Sequence, residues 1–475
     1  MAAGAAASGP GAATVRPVMP DPTDPSDPSP DPTAPADDVT PTDRPTPAPS
    51  AGDRRSRAGE PDPDEFAGGF ERVTASRRWP VAVVGLLAVV ALLASMLLVR
   101  RASSGDGGGG DGGDGDATTA TTAEPEPATE AEIEAAVAEI SDFVAEEAGM
   151  PFLEPVTVEL EGEGDFQDRL LEDFDDDAEE LRQTEVFLTG LGLVDPGVDM
   201  VESMRSLLGG GVVGFYDPES DELVVRGAAL TPYVRTTIAH ELTHALDDQH
   251  HDLDRPEYDE ADDETSFGFS AVVEGNARRI ESAYHATLDE DERRQATEEE
   301  LALGGDVDIE SIPLILVDLI GAPYTLGEPF VDAVVADGGD EGLAAAFAAP
   351  PSTSEQVLDP ERFLAGEPAI DVPVPEVPGE VVDEGVVGEL MVLLVLADQL
   401  GLDQARTAAT GWGGDWGVAW RDGERSCVTA SLVGDDVTET EEMRQAFERW
   451  AEEHDGARVV PAGGGGPFTV ESCAG

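Results

Sequence analysis

The sequence predicts an α+β fold, mainly helical with a small β-hairpin or sheet, preceded by a disordered tail and one transmembrane helix. Three observations carry this expectation. Residues 1–79 are rich in Ala, Pro and Asp and nearly lack large apolar side chains, so they cannot bury a core. Pro80 to Val99 runs for 20 residues without a charge, the length of a helix that spans a bilayer. From Thr129 onward apolar residues recur mainly at helical spacing, broken by short runs that alternate as strands do.

The 475 residues suffice for a large core and more than one folded unit. They include 27 Lys+Arg against 101 Asp+Glu, a net charge of −74, and Lys is absent. A surface this negative repels phosphate, which argues against nucleic acid as a partner. An acidic surface suited to high salt accounts for the charge more simply than a dedicated cation-binding role.

Taken in order, residues 1–79 read as a disordered cytoplasmic tail and 80–99 as the transmembrane helix. Arg72, Arg77 and Arg78 precede the apolar run and Arg100 and Arg101 follow it. With a short tail on one side and a large acidic region on the other, the N-terminus is expected inside. Residues 100–128, including GDGGGGDGGDGD, read as a flexible linker. Everything from residue 129 onward is then extracytoplasmic, held to the cell membrane by a single pass. There a disulfide between Cys427 and Cys473 is expected; in a reducing compartment both would be thiols.

Within 129–290, Thr129 and Glu132 form a capping box ahead of Ile133, Val137, Ile140, Phe143 and Val144 at helical spacing. Pro155 to Leu160 reads as a strand, and Phe166 to Leu193 as one helix with Asp173, Asp175, Asp176 and Asp177 turned to solvent. Val212–Tyr216 and Glu222–Arg226 flank a turn and form a β-hairpin. An edge strand of that hairpin offers a place where an extended peptide can add.

The helix that follows, Thr231 to His251, has Thr231 as its cap and Pro232 at its first position. Val234, Ile238, Leu242, Ala245 and Leu246 form its apolar stripe, and His240 and His244 fall outside it. His240-Glu241-Leu242-Thr243-His244 is an HExxH sequence. Two imidazoles one turn apart can grip one metal ion, and Glu241 beside them can act as the general base. A catalytic site of this kind wants a third protein ligand. Glu274, in the apolar helical stretch Ser266–Tyr284, is one candidate, because a carboxylate there is costly unless paired or metal-bound. His250 is the alternative, if a sharp turn at Asp247 swings it back.

In 291–475, Ile312–Ile320 and Val386–Leu400 read as core helices, the first ended by Gly321-Ala322-Pro323. Trp416–Trp420 and Ser426–Leu432 form a second hairpin. Trp416, Val418 and Trp420 share one face, expected to pack on a last helix capped by Thr440 and ending near Glu453.

HELTHAL, followed by the Glu274-Gly-Asn-Ala277 segment, resembles the gluzincin metallopeptidases, whose third ligand is a glutamate often set in an E-G-x-A context. Over roughly 211–450 the chain is also similar to a group of actinobacterial HExxH proteins that share HELTHALxDQH and a later stretch, here Pro350–Leu358. The resemblance implies a zincin-like catalytic domain at 129–290, with Zn2+ on His240, His244 and Glu274 and with Glu241 as base. The helical region 291–475 would pack on it, and the substrate would be a peptide or protein. Arg278 stands where thermolysin-like enzymes place an aspartate behind the ligands. Tyr284, His285, His250, His251 and Arg279 are the candidates to stabilise an oxyanion. The expected function is a membrane-anchored, extracytoplasmic zinc metallopeptidase. The alternative is a non-catalytic metal-binding surface or scaffold protein, which would have no need of Glu241.

Overall fold

The computed structural model describes residues 126–475 apart from 172–173, 175–177, 260–262, 305–311 and 462–465. The tail, the apolar run at 80–99, most of the linker and the four aspartates at 173–177 lie outside the described residues.

Helix α1 (Glu130–Ala148) opens on the expected capping box, with Thr129 N–H donating to Glu132 Oε2 at 2.8 Å and Glu132 N–H to Thr129 Oγ1 at 3.4 Å. Strand β1 (Val158–Glu161) leads to α2 (Glu163–Leu170), α3 (Ala178–Gly190) and α4 (Met200–Gly211). One continuous helix over 166–193 is therefore corrected to two. The sequence between them is rich in Asp, a residue type of low helix preference. Strands β2 (Gly214–Asp217) and β3 (Glu222–Arg226) form the expected hairpin, and β1 pairs with β3 in parallel. The sheet order is β1-β3-β2, so β2 is an edge.

Helix α5 (Pro232–His251) is capped by Thr231, whose side chain accepts from Val234 N–H at 3.2 Å, with Pro232 at its start. Ile238, Leu242, Ala245 and Leu246 bury its apolar stripe against Tyr216, Leu223 and Val225 of the sheet and Val137, Ile140 and Val144 of α1. Helices α6 (Asp263–Thr287), α7 (Glu290–Gly304) and α8 (Leu314–Ala348) follow. Gly275 of α6 and Gly327 of α8 meet backbone to backbone; a Cβ on Gly275 would drive into the Gly327 carbonyl.

The expected stop at Gly321-Ala322-Pro323 is not there. Helix α8 carries Pro323 and Pro329 and leaves helical geometry only at Gly339 (φ 60, ψ −153). Packing on α6 outweighs the lost hydrogen bonds, as tertiary burial commonly overrides local preference. Among the described residues α8 is the one helix long and apolar enough to cross a membrane, and half of its most apolar window is buried in the protein.

The C-terminal part is a five-stranded antiparallel sheet with order β4-β5-β6-β8-β7: β4 (Glu380–Gly385), β5 (Trp412–Asp422), β6 (Arg425–Gly434), β7 (Arg458–Val460) and β8 (Phe468–Ala474). Helices α9 (Gly388–Leu400), α10 (Leu402–Ala409) and α11 (Val437–Glu453) accompany it. Helix α11 begins four residues earlier than expected. Asp436 is its cap, accepting from Thr438 and Glu439 N–H, while Thr440 Oγ1 bonds the Asp436 carbonyl.

Trp416, Val418 and Trp420 do share a face, but with Val377 and Cys427 rather than with α11. Trp412 and Ala419 are the residues packed with Met443, Phe447 and Trp450 of α11. A register shift between Trp412 and Gly414 puts Trp412 on the side of Ala419 rather than that of Trp416, because one extra residue moves a side chain to the other face of a sheet. Cys427 and Cys473, directly opposite on β6 and β8, form the expected disulfide. The largest core unites Phe166, Leu188 and Leu207 of α2–α4 with Leu396, Trp412 and Trp450, so the C-terminal sheet packs on the earlier helices.

A candidate metal centre

Helix α5 carries His240, Glu241 and His244, which are 5%, 2% and 0% exposed, and α6 brings Glu274, 4% exposed, to meet them. Glu274 Oε2 lies 3.3 Å from His240 Nε2 and 3.5 Å from His244 Nε2. The three ligand atoms all lie within 4.8 Å of one another, so the group can hold a metal ion. One observation tests the fit. Neither Nε2 makes a hydrogen bond, although both are buried where polar atoms ordinarily find partners. A cation between them and the carboxylate would satisfy both. The close Gly275–Gly327 crossing explains how a carboxylate on α6 sits this deep, between two helices with almost no space left over.

The electrostatics suit a cation. Burial opposes charge on Glu274, but His244 and His240 hold its carboxyl down at about 2. Burial also opposes charge on His240, yet Glu274 and Glu281 outweigh it and push the imidazole up to about 10. Burial lowers His244, with Glu274 opposing, and raises Glu241 well above the ordinary carboxyl range, with His240 opposing.

Two residues that the HExxH motif does not point to complete the group. Glu281, two turns after Glu274 on α6, places Oε2 at 2.9 Å from His240 Nδ1 and takes Arg278 Nη1 at 2.6 Å. Arg278 and His240 hold Glu281 at about 2 against its burial. Arg278 thus acts on the site through Glu281, and the seven-residue spacing on one helix face is the signal for it in the sequence. Tyr324 comes from α8. Its hydroxyl donates to Glu274 Oε1 at 2.9 Å, and its ring stacks on His240 with centroids 6.1 Å apart. No motif marks it; it sits 50 positions from its partner.

The other expected residues are elsewhere. His250 is not brought to the pair: α5 runs unbroken through Asp247 and leaves helical geometry only at Asp252 (φ 61), and His250 Nε2 lies 2.9 Å from the Pro151 carbonyl. His251 stacks on Phe347, Tyr284 packs edge-on against Phe143, and Arg279 donates to Asn276 Oδ1 at 2.9 Å. His285 is half-buried in the last turn of α6. Glu241 lies against the edge strand instead. A Cβ on Gly214 of β2 would come within 2.9 Å of its Oε1, and the Tyr216 backbone N–H bonds its carboxylate.

A family model described as a domain of unknown function (DUF8575) matches residues 376–472, the C-terminal sheet and its helices. No curated protein matches the chain. A crystal structure from Chloroflexus aurantiacus, described as that of a candidate hydrolase with a novel fold, aligns with 58% of this chain and 97% of that one at 17% identity and a TM-score of 0.34. At that score the likeness bears on neither fold nor activity. The candidate metal-binding group, His240, His244 and Glu274, lies outside the matched family region.

Proposed function

We propose that the chain is a zinc metallopeptidase of gluzincin type, anchored by the uncharged run at 80–99 with its metal centre outside the membrane. The observation that carries this reading is the pair of unpartnered imidazole nitrogens facing one carboxylate, with Glu241 beside them. Two imidazoles and one carboxylate leave a fourth position open, which is the donor set of catalytic zinc.

Zinc held by His240, His244 and Glu274 would polarise the attacking water and the scissile carbonyl. Glu241 accepts the proton of that water and returns it to the leaving amine. Tyr324, whose single O–H is donated to Glu274 Oε1 at 2.9 Å, would serve the developing oxyanion by turning that O–H away from the carboxylate. The outer edge of β2, held against Glu241 by the absence of a side chain at Gly214, takes an extended peptide or protein segment as an added strand once Glu241 releases the Tyr216 N–H.

A second reading, a metal-binding surface or scaffold protein without turnover, has one observation in its favour: none of the four central groups is more than 5% exposed. The full chain purified in detergent separates the two. Bound zinc that is lost in Glu274→Ala, with cleavage of a mixed peptide library that is lost in Glu241→Gln, is expected of the peptidase. Zinc without cleavage by the unsubstituted protein would sink the enzyme reading and leave the scaffold.

A further inference from the structure

Helix α1 and the chain from Pro151 to Glu159 face each other across a groove of about 860 Å³, which none of the metal-centre residues lines. That volume falls within the roughly 300–1,000 Å³ of ordinary ligand sites. The α1 wall runs from Glu130 to Ala145, about 22 Å of helix. An extended chain covers that length in about six or seven residues.

The floor is apolar. Val137 belongs to the core under the small sheet, and Ile133, Phe152 and Val156 pack against that core. The opposite wall has no regular structure before Val158, yet it is pinned by the end of α5. Gln249 Oε1 accepts from Leu153 N–H at 2.7 Å and from Glu154 N–H at 3.1 Å, and Gln249 Nε2 donates to the Glu154 carbonyl at 3.1 Å. His250 Nε2 donates to the Pro151 carbonyl at 2.9 Å. The chemistry proposed above gives these two side chains no task; here they hold one wall of a groove. At Val158 that wall becomes β1, which pairs with β3 on one side only. No residue of β3 lines the groove, so the unpaired side of β1 faces it. An unpaired strand edge beside an apolar floor accepts an extended segment as a further strand.

Every charged residue on the lining is acidic: Glu130, Glu134, Asp142 and Glu159. Glu159 has Arg169 at 3.4 Å, and the other three have no ion pair among the described residues. Carboxylates alone say little in a chain of net charge −74. These, however, follow one face of α1, Glu134 one turn after Glu130 and Asp142 two turns further, and so form a rim along the apolar floor. We propose that the groove binds an extended segment of a cationic partner protein. Its backbone adds to β1, its aliphatic side chains lie on Ile133, Val137 and Val156, and Arg or Lys at the alternate positions reaches the acidic rim. The site is at the β1 edge of the sheet and Glu241 is at the β2 edge, so the proposal does not rest on the metal centre.

The test uses the full chain in detergent and, as probe, a fluorescent octapeptide of alternating Arg and Val. Binding is read by anisotropy, and backbone contact by hydrogen exchange. The parent should bind, more weakly as salt rises, with new protection at the amides of 157–161. Ala138 is an exposed position on the lining, and Ala138→Trp should fill the groove without touching the core and abolish binding. Glu134→Arg with Asp142→Arg should weaken it about tenfold, through two attractions lost and two repulsions gained. Glu442→Arg with Glu452→Arg, the same charge change on the exposed face of α11, should leave it within about twofold. No binding by the parent, unchanged binding in Ala138→Trp or in the groove pair, or an equal loss in the α11 pair overturns the proposal. So does equal affinity for an alternating Thr and Val peptide, which would make this a site for neutral segments. A dimer of the parent that Ala138→Trp disperses would overturn it too, by giving the groove to a second copy of the chain.

Discussion

Gly275 and Gly327 meet backbone to backbone where α6 crosses α8, and that crossing sets Tyr324 within 2.9 Å of Glu274. A Cβ at Gly327 would stand 3.0 Å from the Gly275 Cα and closer still to the Ala271 carbonyl. Backbone on both sides cannot rotate out of the way. Gly327→Ala should therefore destabilise the fold by roughly 1–3 kcal/mol, the usual cost of overpacking, and weaken zinc binding by displacing Glu274. Urea denaturation read alongside zinc affinity checks both. A variant as stable as the parent would show that the helices have slack the geometry does not suggest.

Tyr324→Phe separates positioning from folding. The ring stays against His240 and only the hydroxyl on Glu274 Oε1 is lost. Stability should fall by about 1 kcal/mol, the net worth of one hydrogen bond. If Tyr324 also serves the oxyanion, kcat for peptide cleavage should fall about 100–1000-fold, with zinc still bound. A variant that binds zinc and keeps full kcat would remove Tyr324 from the chemistry and leave it as a partner of Glu274 alone.

What the amino-acid sequence makes legible depends on whether the signal is local. Thr231, Pro232 and the apolar stripe of α5 are local, and their spacing alone puts His240, Glu241 and His244 on one helix. Glu274 is legible because a carboxylate among Val272, Val273 and Ala277 demands a reason. Tyr324 is not, because its role exists only once α8 continues past Pro323, and that continuation is decided by packing on α6 rather than by the proline. The side of Trp412 escapes periodicity for a similar reason: one irregular residue between Trp412 and Gly414 takes it off the face that Trp416, Val418 and Trp420 share. The cap of α11 is ambiguous in a different way. Asp436 and Thr440 are both good caps, and the earlier one gains the helix a further turn.

Glu355, whose Oε1 lies 3.2 Å from Arg362 Nη1, and Glu389 in the first turn of α9 should make the fold more stable in mild acid than in mild base. Both are buried, and burial, with Arg362 opposing, pushes each carboxyl up to about 8 from an unfolded value of 4.5. Between those two values the folded protein holds protons that the unfolded chain has released. The stabilisation from these groups is therefore complete below pH 4.5, falls as pH rises through the window, and is gone above about 8. General repulsion among the carboxylates of a chain with net charge −74 runs in the same direction. Metal binding runs in the other, because histidine ligands must lose protons first, so the measurement belongs in chelator. The expected result is a higher Tm at about pH 5.5 than at about pH 8.5, on either side of most of that window, with Glu389→Gln raising Tm at the higher pH and flattening the slope. A slope unchanged by that substitution would mean that Glu389 ionises in the folded protein at little cost, and that surface charge alone sets the pH dependence.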